Sequence, residues 1–109
     1  MSGGDPSPHE RAAEAFAAAA QEAYGDQIED LIVFGSTVRG ETRGIDSDVD
    51  IFVIVTDDTI ADNLRDVAYD VQLDYSVVVS LHIQTTERFA ERKNHPFIRH
   101  VLTEGRSYA

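Results

Sequence analysis

A chain of 109 residues without cysteine fits one domain and excludes disulfides, zinc–thiolate centres and cysteine nucleophiles. Twenty acidic residues oppose nine basic ones, for a net charge of -11. No basic cluster supplies the phosphate contacts on which a nonspecific grip on nucleic acid depends, and no apolar run approaches the roughly 20 residues of a membrane span.

Residues 1–7, rich in Gly, Ser and Pro, read as a flexible N-terminus, and residues 8–109 as a single domain. The start has neither a basic n-region nor an apolar h-region, so a signal peptide is not expected and the cytoplasm is the expected location. Ser7-Pro8-His9-Glu10 has the pattern of a helix start: a capping serine, a proline in the first turn and a glutamate three residues after the cap. An alanine-rich helix then runs to Tyr24 and stops at Gly25. Ile28 to Phe34 reads as a strand, and its continuous Leu31-Ile32-Val33-Phe34 run suits one covered on both faces. Gly35-Ser36 follows at once, and Gly40 to Ser47 is a polar loop. Asp48 to Val55 is a second strand and Thr56–Thr59 a turn. Ile60, Leu64, Val67, Ala68 and Val71 recur at helical spacing, which predicts an amphipathic helix over 60–73. Ser76 to Gln84, with its Val77-Val78-Val79 run, is a third strand. Thr85 or Thr86 opens a helix through Arg92, Asn94-His95-Pro96 breaks it, and a last helix runs from Pro96 to about Glu104, ending at Gly105.

The loop over 40–47 is too short for a crossover helix, so the first two strands are expected to be antiparallel neighbours, with the third reached through a helix. The expectation is an α+β fold in the order α-β-β-α-β-α-α, a small mixed sheet with helices packed on one face.

Phe34-Gly35-Ser36-Thr37-Val38-Arg39-Gly40 and Ser47-Asp48-Val49-Asp50-Ile51 carry the chemistry. Gly35, without a Cβ, lets a phosphate approach the backbone at the end of a strand. Ser36 adds a hydroxyl and an N–H. A helix starting at Thr37 would aim its free N–H groups at the same point, and Arg39 lies on the same side of that first turn. Asp48 and Asp50, one residue apart in a strand, project from one face about 6.6 Å apart along the chain. Such a pair suits hard divalent cations, and two of them would clamp a triphosphate and an attacking oxygen. Transfer chemistry of this kind needs positioning and charge neutralisation rather than a protein nucleophile. Either element alone is weak, since Gly-Ser is usually a turn and Asp-x-Asp arises by chance among twelve aspartates.

The joint pattern of strand, Gly-Ser, short loop, Ser-Asp-x-Asp and apolar strand resembles the DNA polymerase β-type nucleotidyltransferase superfamily, and more closely its minimal nucleotidyltransferase family. Eleven residues separate Ser36 from Asp48, one more than that family's usual gap. The resemblance runs from about residue 12 to 108, including Asn94-His95-Pro96-Phe97-Ile98-Arg99, Gly105 and Tyr108. It implies a polymerase β-like nucleotidyltransferase fold and transfer of a nucleoside monophosphate, AMP from ATP, to an acceptor. By this resemblance Asp48 and Asp50 are the catalytic, metal-holding pair for two Mg2+ or Mn2+ ions, and Gly35, Ser36, Arg39 and Ser47 the nucleotide-binding residues. Many members of the family act as antitoxins beside a helical partner of the HEPN class, some by attaching AMP to a tyrosine of the toxin.

Active members carry a third acidic residue on the third strand, where this chain has Ser80 within Val79-Ser80-Leu81-His82-Ile83. Either Asp74 or another carboxylate compensates, or two aspartates support weak activity, or the domain is an inactive antitoxin that neutralises a partner by contact. His82, on the strand face of Ser80, reads either as an acid/base group near the metals or as a polar filler. Asp48, Asp50, Phe52 and Ile54 share one face of the second strand. Phe52, Ile54 and Val78 form either a docking surface for a small helical HEPN-type protein or a second copy, or a surface under a terminal helix. The dense carboxylates fit a salt-loving, haloarchaeal source or an ordinary acidic protein.

Overall fold

The computed structural model describes residues 8–34 and 48–108. Helix α1 (Pro8–Tyr24) buries Ala12, Ala13, Phe16, Ala17 and Ala20 along one stripe, and the small alanines let its backbone approach the sheet closely. A single 3-10 turn (Gly25–Gln27) leads into strand β1 (Ile28–Phe34), and strand β2 (Val49–Val55) pairs with it antiparallel. Helix α2 (Ala61–Tyr75) crosses to strand β3 (Val79–Thr85), which lies parallel to β2. Two short helices, α3 (Thr86–Glu91) and α4 (Pro96–Glu104), and a two-residue strand β4 (Arg106–Ser107) complete the chain. The sheet order is β3-β2-β1-β4. Among the described residues no helix is long and apolar enough to cross a membrane.

The antiparallel β1–β2 pair, the helical crossover and the element order agree with the α+β expectation. Three details differ. Ser76 adopts a left-handed conformation, φ 55°, and closes α2, so the third strand begins at Val79 rather than at Ser76. Second, β4 adds antiparallel to β1, pairing Ile32 with Ser107 and Val33 with Arg106. The Ser107 hydroxyl donates to Asp30 Oδ1 at 2.7 Å, and Tyr108 N–H to the Leu31 carbonyl at 2.7 Å. Two residues are too few for any periodic signal in the sequence.

Third, helices packed on one face describes only the two long ones. α1 and α2 cover the face carrying Leu31, Val33, Val49, Ile51, Val53 and Val55. The opposite face carries Ile32, Phe34, Phe52 and Ile54, and α4 closes over it with Ile98 and Val101 while Phe89 of α3 packs at the side. A half-buried sheet would leave this apolar surface in water; folding the chain end back over it removes that cost. Phe52 and Ile54 are therefore only 1% and 3% exposed and form no docking surface, while Val78 is exposed.

Closure of α4 onto the sheet depends on Gly105. Its N–H donates to the Val101 carbonyl at 2.8 Å. A Cβ there would overlap Ile32 Cγ2 and stand 2.5 Å from the Val101 carbonyl oxygen, which cannot swing aside. Gly105→Ala is expected to lose about 1–3 kcal/mol of stability in denaturant titration. Gly25→Ala, whose Cβ would meet only Gln21 Oε1 at 3.5 Å, is the control and should unfold close to the parent.

Candidate active site

Strand β2 starts one residue after Asp48, and its alternation divides its side chains between the two cores. Val49, Ile51, Val53 and Val55 go to the α1–α2 side, and Asp50 keeps company with Phe52 and Ile54 on the α4 side. Register places Asp50 opposite Ser80 on β3 and opposite Phe34 on β1. The Ser80 hydroxyl donates to Asp48 Oδ2 at 3.0 Å. Asp48, Asp50 and Ser80 are thus gathered at one end of the sheet, all half-buried.

Burial pushes the Asp50 carboxyl above its ordinary pKa, and the neighbouring Asp48 charge pushes it further the same way; His82 pulls it back in part. The origin is physical crowding of two acidic groups at a partly desolvated strand end. A cation between them would relieve both the desolvation and the repulsion. Two carboxylates and a hydroxyl are hard oxygen donors, the set preferred by Mg2+ and Mn2+, so the residues present fit a divalent ion of that class. Among the described residues no cluster of three or more His, Asp or Glu side chains forms a fuller metal cage.

Gly35, Ser36, Arg39 and Ser47 lie outside the described residues. Phe34, the residue before Gly35 in the sequence, is the cross-strand neighbour of Asp50, so β1 ends beside the carboxylates. Asp74, weighed as a compensating acid, sits exposed near the end of α2, the helix packed on the opposite face of the sheet. The structure does not bring it to the pair, because the crossover helix must cover the α1 side and takes Asp74 with it.

His82 is exposed and stands on the same face, with its ring centroid 5.8 Å from Phe34 and 5.5 Å from Phe97. Phe97 was not singled out as a site residue by sequence reasoning. Its one local signal is its place just after the helix-starting Pro96, which says nothing about a neighbour fifteen residues earlier in the chain. Of the other histidines, His9 is buried, and His95 caps α4 by accepting the Phe97 N–H on Nδ1 at 3.1 Å. A cleft of about 350 Å3 lined by Asp58, Arg65, Gln84 and Arg88 opens at the far end of β3 and includes none of these residues in its walls.

Comparison with known proteins adds to this geometry. The family model described as Nucleotidyltransferase domain matches residues 14–108. A Methanocaldococcus jannaschii protein named as a protein adenylyltransferase is 34% identical over 97 residues, which cover 89% of this chain and 94% of the relative. Among solved structures, a toxin–antitoxin with AMP-PNP aligns with a TM-score of 0.59 at 20% identity, covering 86% of this chain and 70% of that one. A mutant of the toxin–antitoxin MntA-HpeT aligns with a TM-score of 0.59 at 22% identity, covering 84% and 68%. At these identities the solved structures share the fold.

Proposed function

The chain belongs to the nucleotidyltransferase domain family, and from that premise we propose that it transfers AMP from ATP to a protein acceptor, a small helical partner of the HEPN class. The observation that carries the proposal is the convergence of Asp48, Asp50 and Ser80 on one strand end, beside the point where β1 runs into Gly35-Ser36. The name of the Methanocaldococcus relative supports both the adenylyl group and the protein acceptor.

In this reading Asp48 and Asp50 would hold two divalent ions, Mg2+ or Mn2+. The ions would neutralise the triphosphate and activate the acceptor oxygen. Gly35, Ser36, Arg39 and Ser47 receive the phosphates through backbone N–H groups, hydroxyls and a guanidinium. The acceptor hydroxyl oxygen bonds to the α-phosphorus as its proton passes to water, the bond from that phosphorus to the β-phosphate bridge breaks, and pyrophosphate leaves. Ser80 cannot serve as a base; its hydroxyl fixes the rotamer of Asp48 instead.

A second reading rests on that same serine. A hydroxyl at the position opposite Asp50 supplies one negative charge fewer than a carboxylate would, which suits a domain that neutralises its partner by contact with little turnover. Incubation with labelled ATP, Mg2+ or Mn2+ and the product of the neighbouring gene separates the two. Label should pass to the partner, and Asp48→Ala and Asp50→Ala should abolish the transfer. Co-purification of the partner without label would favour the contact reading. Ser80→Asp is expected to raise the transfer rate by about tenfold or more, the scale on which groups supporting a metal site act. An unchanged rate in that variant would show that a third carboxylate is irrelevant here.

A further inference from the structure

Three rings form a closed triangle next to the carboxylates. Phe34 and Phe97 meet edge to face at 5.7 Å, His82 and Phe97 at 5.5 Å, and Phe34 and His82 at 5.8 Å. Phe34 is buried, and Phe52, fully buried, supports Phe97 from below at 6.2 Å. Phe97 nevertheless keeps 38% of its surface in solvent, and His82 is exposed beside it. Phe97 is not what anchors α4, a task done by Ile98 and Val101, which are 2% and 1% exposed. Its backbone is held by Pro96 in the first turn and by the bond from its N–H to His95 Nδ1. The result is a shelf of two open rings on a rigid base.

Position gives the shelf its meaning. His82 follows Ser80 by two residues on the same face of β3, roughly 6.6 Å along the strand. Phe34 stands opposite Asp50. From a triphosphate held at Asp48 and Asp50 the shelf is about one strand step away, within reach of the attached nucleoside. We infer that Phe97 and His82 stack the purine base of the nucleoside triphosphate donor, an inference that rests on the nucleotidyl-transfer reading above. Every base has a π face, and stacking on an aromatic ring needs no hydrogen-bond code. The shelf binds the base as a plane; it does not read its edge.

The test measures equilibrium binding of ATP and of inorganic tripolyphosphate, each with Mg2+, to the full chain and to three variants. Phe97→Leu keeps the apolar cover of α4 but removes the ring, His82→Ala removes the second ring, and Phe97→Tyr keeps a ring. The parent should bind ATP more tightly than tripolyphosphate. Phe97→Leu combined with His82→Ala should weaken ATP by about 5- to 150-fold, the range for loss of the aromatic stacking of one base, and leave tripolyphosphate unchanged. Phe97→Tyr should bind ATP as the parent does. Equal affinity of the parent for the two ligands, or unchanged ATP affinity in the double variant, overturns the shelf while leaving the transfer reading intact. A parallel loss for both ligands overturns it as well, since the rings would then act on the phosphate site or the fold. Failure of the parent to bind either ligand overturns the transfer reading itself. Should Phe97→Leu not fold, His82→Ala alone, at an exposed position, is expected to weaken ATP selectively, and an unchanged affinity overturns the shelf.

Discussion

Asp50→Asn is expected to lose nucleotidyl transfer by about 100-fold or more, the scale of removing one preorganised electrostatic group, and yet to melt above the parent at neutral pH. The two effects have one cause. Burial and the Asp48 charge raise the Asp50 pKa in the folded chain above the ordinary value of 3.8. A carboxyl with a raised folded pKa stabilises the fold in its protonated form. That contribution is complete below the ordinary pKa and is lost as pH rises through the elevated one. At neutral pH the ionised Asp50 is therefore a cost, and the uncharged amide of similar shape removes it. The melting temperatures of parent and variant should nearly coincide at low pH and separate as pH climbs through the carboxylate range. In a domain of this size each 1 kcal/mol moves the midpoint by about 4–8 °C. If the ionised pair holds Mg2+ as proposed, the ion should close the gap from the other side: at a hundred times its dissociation constant it would add about 2.7 kcal/mol to the parent and little to the variant. A variant that melts below the parent at pH 7 would show that Asp50 is stabilised in its charged form by a partner, and the crowding argument would fall.

Phe52→Ala is expected to cost about 3–5 kcal/mol, the usual range for truncating a fully buried phenylalanine. Phe52 is 1% exposed and lies under Ile98 and Val101, with Phe89 at 6.2 Å and Phe97 at 6.2 Å. Small domains hold only about 5–15 kcal/mol in total, so this one change would consume a large share. The loss should also release α4 from the sheet, because Phe52 is the more deeply buried of the two phenylalanines in the small core beneath it. Chemical denaturation should give a lower midpoint, and hydrogen exchange should show faster exchange in α4 before the β1–β2 ladder opens. Leu102→Ala, on the same helix but 48% exposed, should stay within about 0.5 kcal/mol of the parent. Equal effects from the two substitutions would mean that α4 is not held through this face.

Periodicity and punctuation in the chain were enough for the order of elements. The alanine stripe of α1, the 3.6-residue spacing of Leu64, Ala68 and Val71, and the apolar runs of β1 and β2 each carry a local rule that burial then obeys. The short loop over 40–47 implied antiparallel pairing, and alternation along β2 put Asp50 with Phe52 and Ile54 on one face. Those properties belong to neighbours along the chain, so a linear reading captures them. Contacts between distant segments were decided only in three dimensions. No local rule says that α4 turns back over Phe52, that Arg106-Ser107 finds the free edge of β1, that Ser80 reaches Asp48 across thirty-two positions, or that Phe97 meets His82. Each depends on which apolar face remains uncovered once the first three strands have paired, and that is a property of the assembled sheet rather than of any segment.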